Sequence, residues 1–101
     1  MHIISKRRLR EFWTKHPQAE DPLKNWYRLM EHNNSTTIQQ LRNTFQTADP
    51  VGSWTVFNIG GGKFRLATKM EYGHQKCWIH KIMTHDDYDS WWKALLGKKS
   101  K

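Results

Sequence analysis

The sequence has little of what secreted and membrane-spanning proteins use. It contains one cysteine, Cys77, among 101 residues, which excludes an internal disulfide, and a lone thiol is typical of a reducing compartment. It has no run of about 20 apolar residues, the length that spans a bilayer. Its first residues also lack the apolar stretch of a signal peptide. We therefore expect a cytoplasmic protein that does not bind membranes.

Acidic residues are scarce as well. Nine Asp and Glu stand against 17 Lys and Arg, which gives a formal net charge of +8 at pH 7. Such a surface attracts polyanions, above all the phosphate backbone of a nucleic acid. An anionic membrane or an acidic protein would satisfy the same charge. The charge therefore predicts an anionic partner but does not identify which kind.

Aromatic residues, by contrast, are abundant: six Trp, four Phe and three Tyr. Each ring buries a large area, so a chain of this length can build a core without disulfides. About 100 residues correspond to one domain. We expect a single domain over residues 1–96, followed by a basic, flexible tail over residues 97–101.

The first half of the chain predicts helices. A short strand over residues 1–5 precedes a helix that Ser5 would cap and that ends near His16, before Pro17. Asp21-Pro22 is a typical start for a second helix, and a third, shorter helix follows near Ile38. In the first two helices the apolar or aromatic positions recur at the i, i+3, i+4, i+7 spacing. They are Leu9, Phe12, Trp13 and His16, then Leu23, Trp26, Tyr27 and Met30.

The second half predicts strands. After a break at residues 49–52, residues 54–59 are β-branched and aromatic, and a glycine turn at 60–62 leads into an alternating strand over 63–70. Residues 77–83 form a third strand, and Asp86 or Asp87 starts a short final helix. The order predicts an α+β fold: an N-terminal strand and helices packed on one face of a curved antiparallel sheet. The other face would be left to carry Lys63 and Arg65.

Three segments together resemble the HigB family of toxin–antitoxin toxins, within the wider RelE-like group. The resemblance lies in the opening segment, in the hairpin and in a C-terminal signature. These segments are Ile3-Ile4-Ser5-Lys6 through Leu9, Phe12, Trp13 and His16-Pro17; Val56-Phe57-Asn58-Ile59 with Gly60, Gly61, Lys63 and Phe64-Arg65-Leu66; and Thr84-His85 with Tyr88-Asp89.

The resemblance implies a compact α+β fold with a barrel-like sheet. It also implies metal-independent cleavage of messenger RNA, usually on the ribosome, and restraint by a cognate HigA-type antitoxin. In such cleavage a 2′-hydroxyl attacks the adjacent phosphate, which requires a base, an acid and cations for the charge on phosphorus. No cofactor or metal is expected.

Arg65, His85 and Tyr88 are the first candidates for this chemistry. The planar fork of Arg65 can hold two phosphate oxygens, and the family motif favours this role over that of a solvated strand arginine. A histidine ordinarily titrates near neutral pH, so His85 suits acid or base duty. Tyr88 could orient the nucleotide, stack on a base or donate to the leaving oxygen, or it could belong mainly to the core.

Further candidates surround this group. Asn58 and Lys63 are second-rank candidates for holding RNA. His80 is a fourth catalytic candidate and departs from the family, which tends to show Arg or Lys there; whether His80 or Lys81 faces the substrate stays open. An N-terminal basic block is either a solvated helix face or a contact with ribosomal RNA. It includes Lys6, Arg7 and Arg10.

Other functions would also explain parts of the sequence. His74, Cys77, His80 and His85 are spaced somewhat like zinc ligands, but on a strand Cys77 and His80 project to opposite faces, so they converge poorly. A non-catalytic RNA-binding or ribosome-binding module would explain the charge and the aromatic residues without chemistry. A structural protein that docks an acidic partner would explain the charge alone.

Overall fold

The computed structural model describes the backbone of residues 1–99 and the side chains of residues 1–95. It confirms the α+β fold. The helices and strands are β1 (His2–Ile4), α1 (Arg7–Lys15), α2 (Glu20–Glu31), α3 (Ile38–Thr44), β2 (Asp49–Val51), β3 (Trp54–Ile59), β4 (Phe64–Glu71), β5 (Lys76–Thr84) and α4 (His85–Lys99).

Within the described residues the strands form one sheet in the order β1-β5-β4-β3-β2. The pairs from β2 to β5 are antiparallel, as predicted, whereas β1 lies parallel to β5 with Ile3 opposite Cys77. The parallel pair is possible because three helices and three strands separate β1 from β5 in the chain. The sheet is therefore mixed.

The N-terminal helices pack on one face of the sheet, as the apolar spacing predicts. Leu9, Leu23 and Met30 are buried there against Phe57 and Leu66 of the hairpin. This face holds the larger of two apolar clusters. Among the described residues no helix is both long and apolar enough to cross a membrane.

Two predicted helix starts are wrong in detail. Ser5 does not cap α1: its φ is +71°, and Lys6, which occupies the cap position, makes no side-chain hydrogen bond there. Ser5 instead turns the chain sharply out of β1. The second helix begins at Glu20, after a 3₁₀ turn over Pro17–Ala19, so Asp21 lies in its first turn instead of capping it.

The predicted break at residues 49–52 contains a short strand, β2. Its partner is β3, and Pro50 is tolerated because β2 lies at the sheet edge and needs no second ladder of hydrogen bonds.

The second sheet face is not open as predicted, because α4 covers its centre. Ala67 and Met83 are buried beneath Tyr88, Trp91 and Leu95 of this helix. The small side chain of Ala67, between Arg65 and Lys69 on β4, lets the helix approach the sheet. This helix differs from the short one predicted to start at Asp86 or Asp87: it begins at His85 and its backbone continues to Lys99, 15 residues in all. Residues 100 and 101 of the predicted tail lie outside the described residues, so the tail stays a prediction.

A β-bulge in β5 has direct consequences for the candidate site. Thr68 is in register with Ile79 and Ala67 with Lys81, which leaves His80 as the extra residue. A bulge redirects the side chains around it. Simple alternation would place Lys81 on the face opposite to that of His80, but the bulge puts Lys81 opposite Ala67, on the face that α4 covers.

Candidate active site

Arg65 lies half-buried on β4, at the end of the sheet where α4 begins. Its guanidinium donates a hydrogen bond to the carbonyl of Gly62 and lies 5.4 Å from the centre of the Tyr88 ring. Gly62 has a φ of +97°, a conformation that favours glycine and directs its carbonyl at the arginine. The turn and the ring together hold the guanidinium in one place and leave further N–H groups free to bind an anion.

Tyr88 lies on the first turns of α4, against Arg65. Burial raises the pKa of Tyr88, and the negative charge of Asp49 raises it further, while the Arg65 cation lowers it. The phenol therefore keeps its proton at neutral pH and can act as a hydrogen-bond donor. Sequence reasoning missed Asp49, because Asp49-Pro50 was interpreted only as a break in the chain.

His85 is the first residue of α4, and its side chain is 64% exposed. Its backbone N–H donates to the carbonyl of Lys63, at 3.1 Å, so the start of α4 is attached to the hairpin that carries Arg65. Asp86 lies 3.9 Å from its Nδ1 atom. The structure thus brings His85, Lys63, Arg65 and Tyr88 to one edge of the sheet.

Asn58 joins this group. It is exposed on β3 and lies directly opposite Arg65 in the antiparallel register. Side chains paired in this way project to the same face of the sheet, so Asn58 can reach a nucleotide held by Arg65.

His80 and Lys81 lie apart from these residues. Met83 lies opposite Arg65 in the register of β4 and β5. His80 precedes Met83 by three residues, so it lies about 10 Å along β5 from the position opposite Arg65. The His80 ring is stacked on Trp54, with 4.1 Å between the ring centres and 11° between the planes. Burial lowers the pKa of His80, and the cations of Arg8 and Lys81 lower it further. The imidazole is therefore neutral at pH 7.

The N-terminal basic block lies on the far side of the sheet. Lys6, Arg7 and Arg10 line a groove of about 560 Å³ between α1 and α2. Its walls are aromatic: Lys6 lies 5.8 Å from the Tyr27 ring centre, and Lys24 lies 5.4 Å from that of Trp13. The groove is separated from Arg65 by the thickness of the sheet, so these cations do not belong to the Arg65 group.

The zinc-like spacing does not form a cluster. Within residues 1–99 no group of three or more His, Cys, Asp or Glu is placed to hold a metal ion. Cys77 is fully buried in the core, and burial raises the pKa of its thiol to about 12. It is therefore a protonated, apolar core residue.

Comparisons with known proteins give the family of this chain. A family model described as HigB_toxin, the RelE-like toxic component of a toxin–antitoxin system, matches residues 19–91. The mRNA interferase toxin HigB of Escherichia coli strain K12 is 28% identical over 92 residues, which are 88% of each chain. The mRNA interferase HigB of Escherichia coli O6:H1 is 27% identical over 92 residues, covering 88% of this chain and 89% of its own.

The matched range contains the hairpin and the His85–Tyr88 segment, the parts that build the Arg65 group. It also exceeds half of the chain. This protein belongs to the HigB family of RelE-like toxins, the toxic components of toxin–antitoxin systems.

Proposed function

We propose that this toxin is an endoribonuclease that cleaves messenger RNA, an mRNA interferase. The support is its family and the name that its relatives carry. The single observation that carries the chemistry is the Arg65 guanidinium, held by Gly62 and by the Tyr88 ring beside His85.

The proposed reaction uses no metal. The 2′-hydroxyl of one nucleotide attacks the adjacent phosphorus, the P–O5′ bond breaks, and a 2′,3′-cyclic phosphate and a 5′-hydroxyl remain. Arg65 binds the non-bridging oxygens and offsets the charge that develops there. Because the raised pKa keeps Tyr88 protonated, this phenol donates to the leaving oxygen. His85 takes the proton of the 2′-hydroxyl as that hydroxyl attacks. Asn58 and Lys63 hold the neighbouring nucleotides.

Two partners complete the proposal. A cognate HigA-type antitoxin restrains the toxin, as the toxin–antitoxin family suggests. Cleavage takes place on the ribosome, because His85 is largely exposed and its nearest charged partner, Asp86, lies 3.9 Å away. A base held so loosely depends on the ribosome to fix the attacking hydroxyl. Naked RNA is therefore cut poorly, and vigorous cleavage of naked RNA that depends on Arg65 would contradict this part of the proposal.

The test compares the wild type with an Arg65→Ala, His85→Ala double variant, each induced in bacteria, and maps new 5′ ends on translated messages. The proposal expects cuts that respect codon position with the wild type and none with the double variant. Growth arrest by both proteins without cuts would instead identify a non-catalytic module that binds RNA or the ribosome.

A further inference from the structure

A row of aromatic and cationic side chains crosses the sheet beyond the part that α4 covers. Trp78 is 39% exposed and lies directly opposite Lys69 in the register of β5 and β4. Trp54 lies on the other side of Lys69, because Thr55 is in register with Thr68 and the strands are antiparallel. Side-chain alternation places Trp54, Lys69 and Trp78 on the same face as Arg65.

His80 holds one end of this row. Its ring lies flat against Trp54, and Trp91 flanks it with 6.4 Å between ring centres. The charged groups facing it are Arg8, whose Nη1 donates to the His80 carbonyl at 3.0 Å, and Lys81. Burial, and then these two cations, lower the pKa of His80, so the imidazole is neutral and serves as a flat ring against Trp54 and not as a cationic phosphate ligand.

The row connects to the Arg65 group through rings. Trp91, beside His80, has its ring centre 5.9 Å from that of Tyr88, and Tyr88 lies against Arg65. All these rings are half-buried, so each keeps an accessible edge or face. Lys69 lies four residues along β4 from Arg65, or about 13 Å, on the same face of the sheet. An RNA strand that binds at Arg65 and continues along this face past α4 therefore reaches the row.

We propose that Trp54, Lys69 and Trp78, with His80 as the residue that positions Trp54, form a platform on which unpaired bases flanking the cleaved phosphate stack. This inference rests on the proposed function and adds a second contact to the same substrate. Aromatic faces bind bases of any sequence, and interleaved cations bind the phosphates between them. Single-stranded RNA is favoured over a protein partner because Lys69 and Lys81, both exposed cations, lie among the rings.

The platform is tested with a short single-stranded oligoribonucleotide that carries 2′-O-methyl groups and cannot be cleaved. Its affinity is measured by fluorescence anisotropy as a function of salt. Trp78→Ala is expected to weaken binding by roughly five- to 150-fold, the range for one lost stacking contact, and to leave the salt dependence unchanged. Lys69→Gln is expected to lower the slope of log affinity against log salt by about 0.7, the value for one phosphate contact on a single strand.

Trp92→Ala is the matched control. Trp92 is 37% exposed, almost the same as Trp78, but lies on α4, and its removal should not change the affinity. His80→Ala should weaken binding, and His80→Phe, which keeps a flat ring but cannot titrate, should restore it. Trp54→Ala should also weaken binding of the oligoribonucleotide. If that variant fails to fold, Trp54→Phe, which preserves most of the packing, replaces it and should weaken binding less.

The outcomes separate the platform from the proposed function. If the wild type does not bind the oligoribonucleotide, or if Trp78→Ala and Trp92→Ala bind equally, the platform is wrong even where the wild type cleaves messages in cells. If Trp78→Ala binds RNA normally but escapes neutralisation by the cognate antitoxin, the row is a protein-docking surface. If His80→Phe binds RNA normally but abolishes cleavage, His80 takes part in proton transfer.

Discussion

Replacing Arg65 with alanine should separate catalysis from folding. In the folded protein the guanidinium makes a hydrogen bond to the Gly62 carbonyl and a cation–π contact with Tyr88. The hydrogen bond contributes about 0.5–1.5 kcal/mol and the cation–π contact about 0.5–1 kcal/mol. The variant should therefore lose no more than about 2.5 kcal/mol of its free energy of unfolding. A small domain has about 5–15 kcal/mol of stability. Even at the lower limit, about 98% of the variant would be folded.

The loss of transition-state stabilisation should be larger. Removing one preorganised donor to a developing oxyanion lowers kcat by about 10²–10³, or about 2.7–4 kcal/mol. Unfolding therefore accounts for only a few per cent of the expected decrease. Arg65→Lys keeps the charge but loses the fork, and it should fall between the wild type and Arg65→Ala.

The assay pairs single-turnover cleavage of ribosome-bound message with urea unfolding of the same preparations. Arg42→Ala is the control, because it removes an equal charge from an exposed position on α3, across the sheet from Arg65. Cleavage by Arg65→Ala within about tenfold of the wild type would refute the role given to this arginine, since it would mean a loss of less than about 1.4 kcal/mol. A decrease in cleavage that is fully explained by the unfolded fraction of the variant would also refute a catalytic role for Arg65.

Three more predictions follow from single contacts. Tyr88→Phe keeps the ring beneath Arg65 but removes the proton donor, so single-turnover cleavage should fall by about 10²–10⁴ while the urea midpoint stays; unchanged cleavage would exclude Tyr88 as the acid. Thr37→Ala removes the Oγ1 that accepts from the Gln40 N–H at 3.2 Å and should cost about 1 kcal/mol in urea unfolding. Thr47→Ala, at an exposed threonine in the turn after α3, is the control and should leave the urea midpoint unchanged. The pKa of His80 is lower in the folded protein than in the unfolded chain, so below about pH 6.5 the unfolded chain binds more protons. As the pH is lowered from about 8 to about 5.5, the free energy of unfolding of the wild type should therefore fall relative to that of His80→Phe. Parallel pH profiles of the two proteins would contradict the lowered pKa.

The candidate site was predicted in part. The residues of the hairpin and of the C-terminal signature, Arg65, His85 and Tyr88, do lie together, because the resemblance identified residues on adjoining elements. Their roles stay predictions. Whether His80 or Lys81 faces the substrate was left open by the sequence. His80 lies against Trp54, and a one-residue bulge in β5 puts Lys81 opposite Ala67. No local pattern in residues 77–83 signals that bulge, since it depends on the register with β4.

The sequence by itself determined the charge, the two amphipathic helices and the glycine-linked hairpin. Each of these depends on residues close together in the chain: apolar positions three and four apart, side chains that alternate, and glycines that accept a positive φ. Only the tertiary structure decided that β1 pairs parallel with β5 and that α4 covers the second face of the sheet. It also decided that Asp49 lies close enough to Tyr88 to raise its pKa. A local pattern fixes which side of an element is apolar, but what covers that side depends on packing between segments that are far apart in the chain.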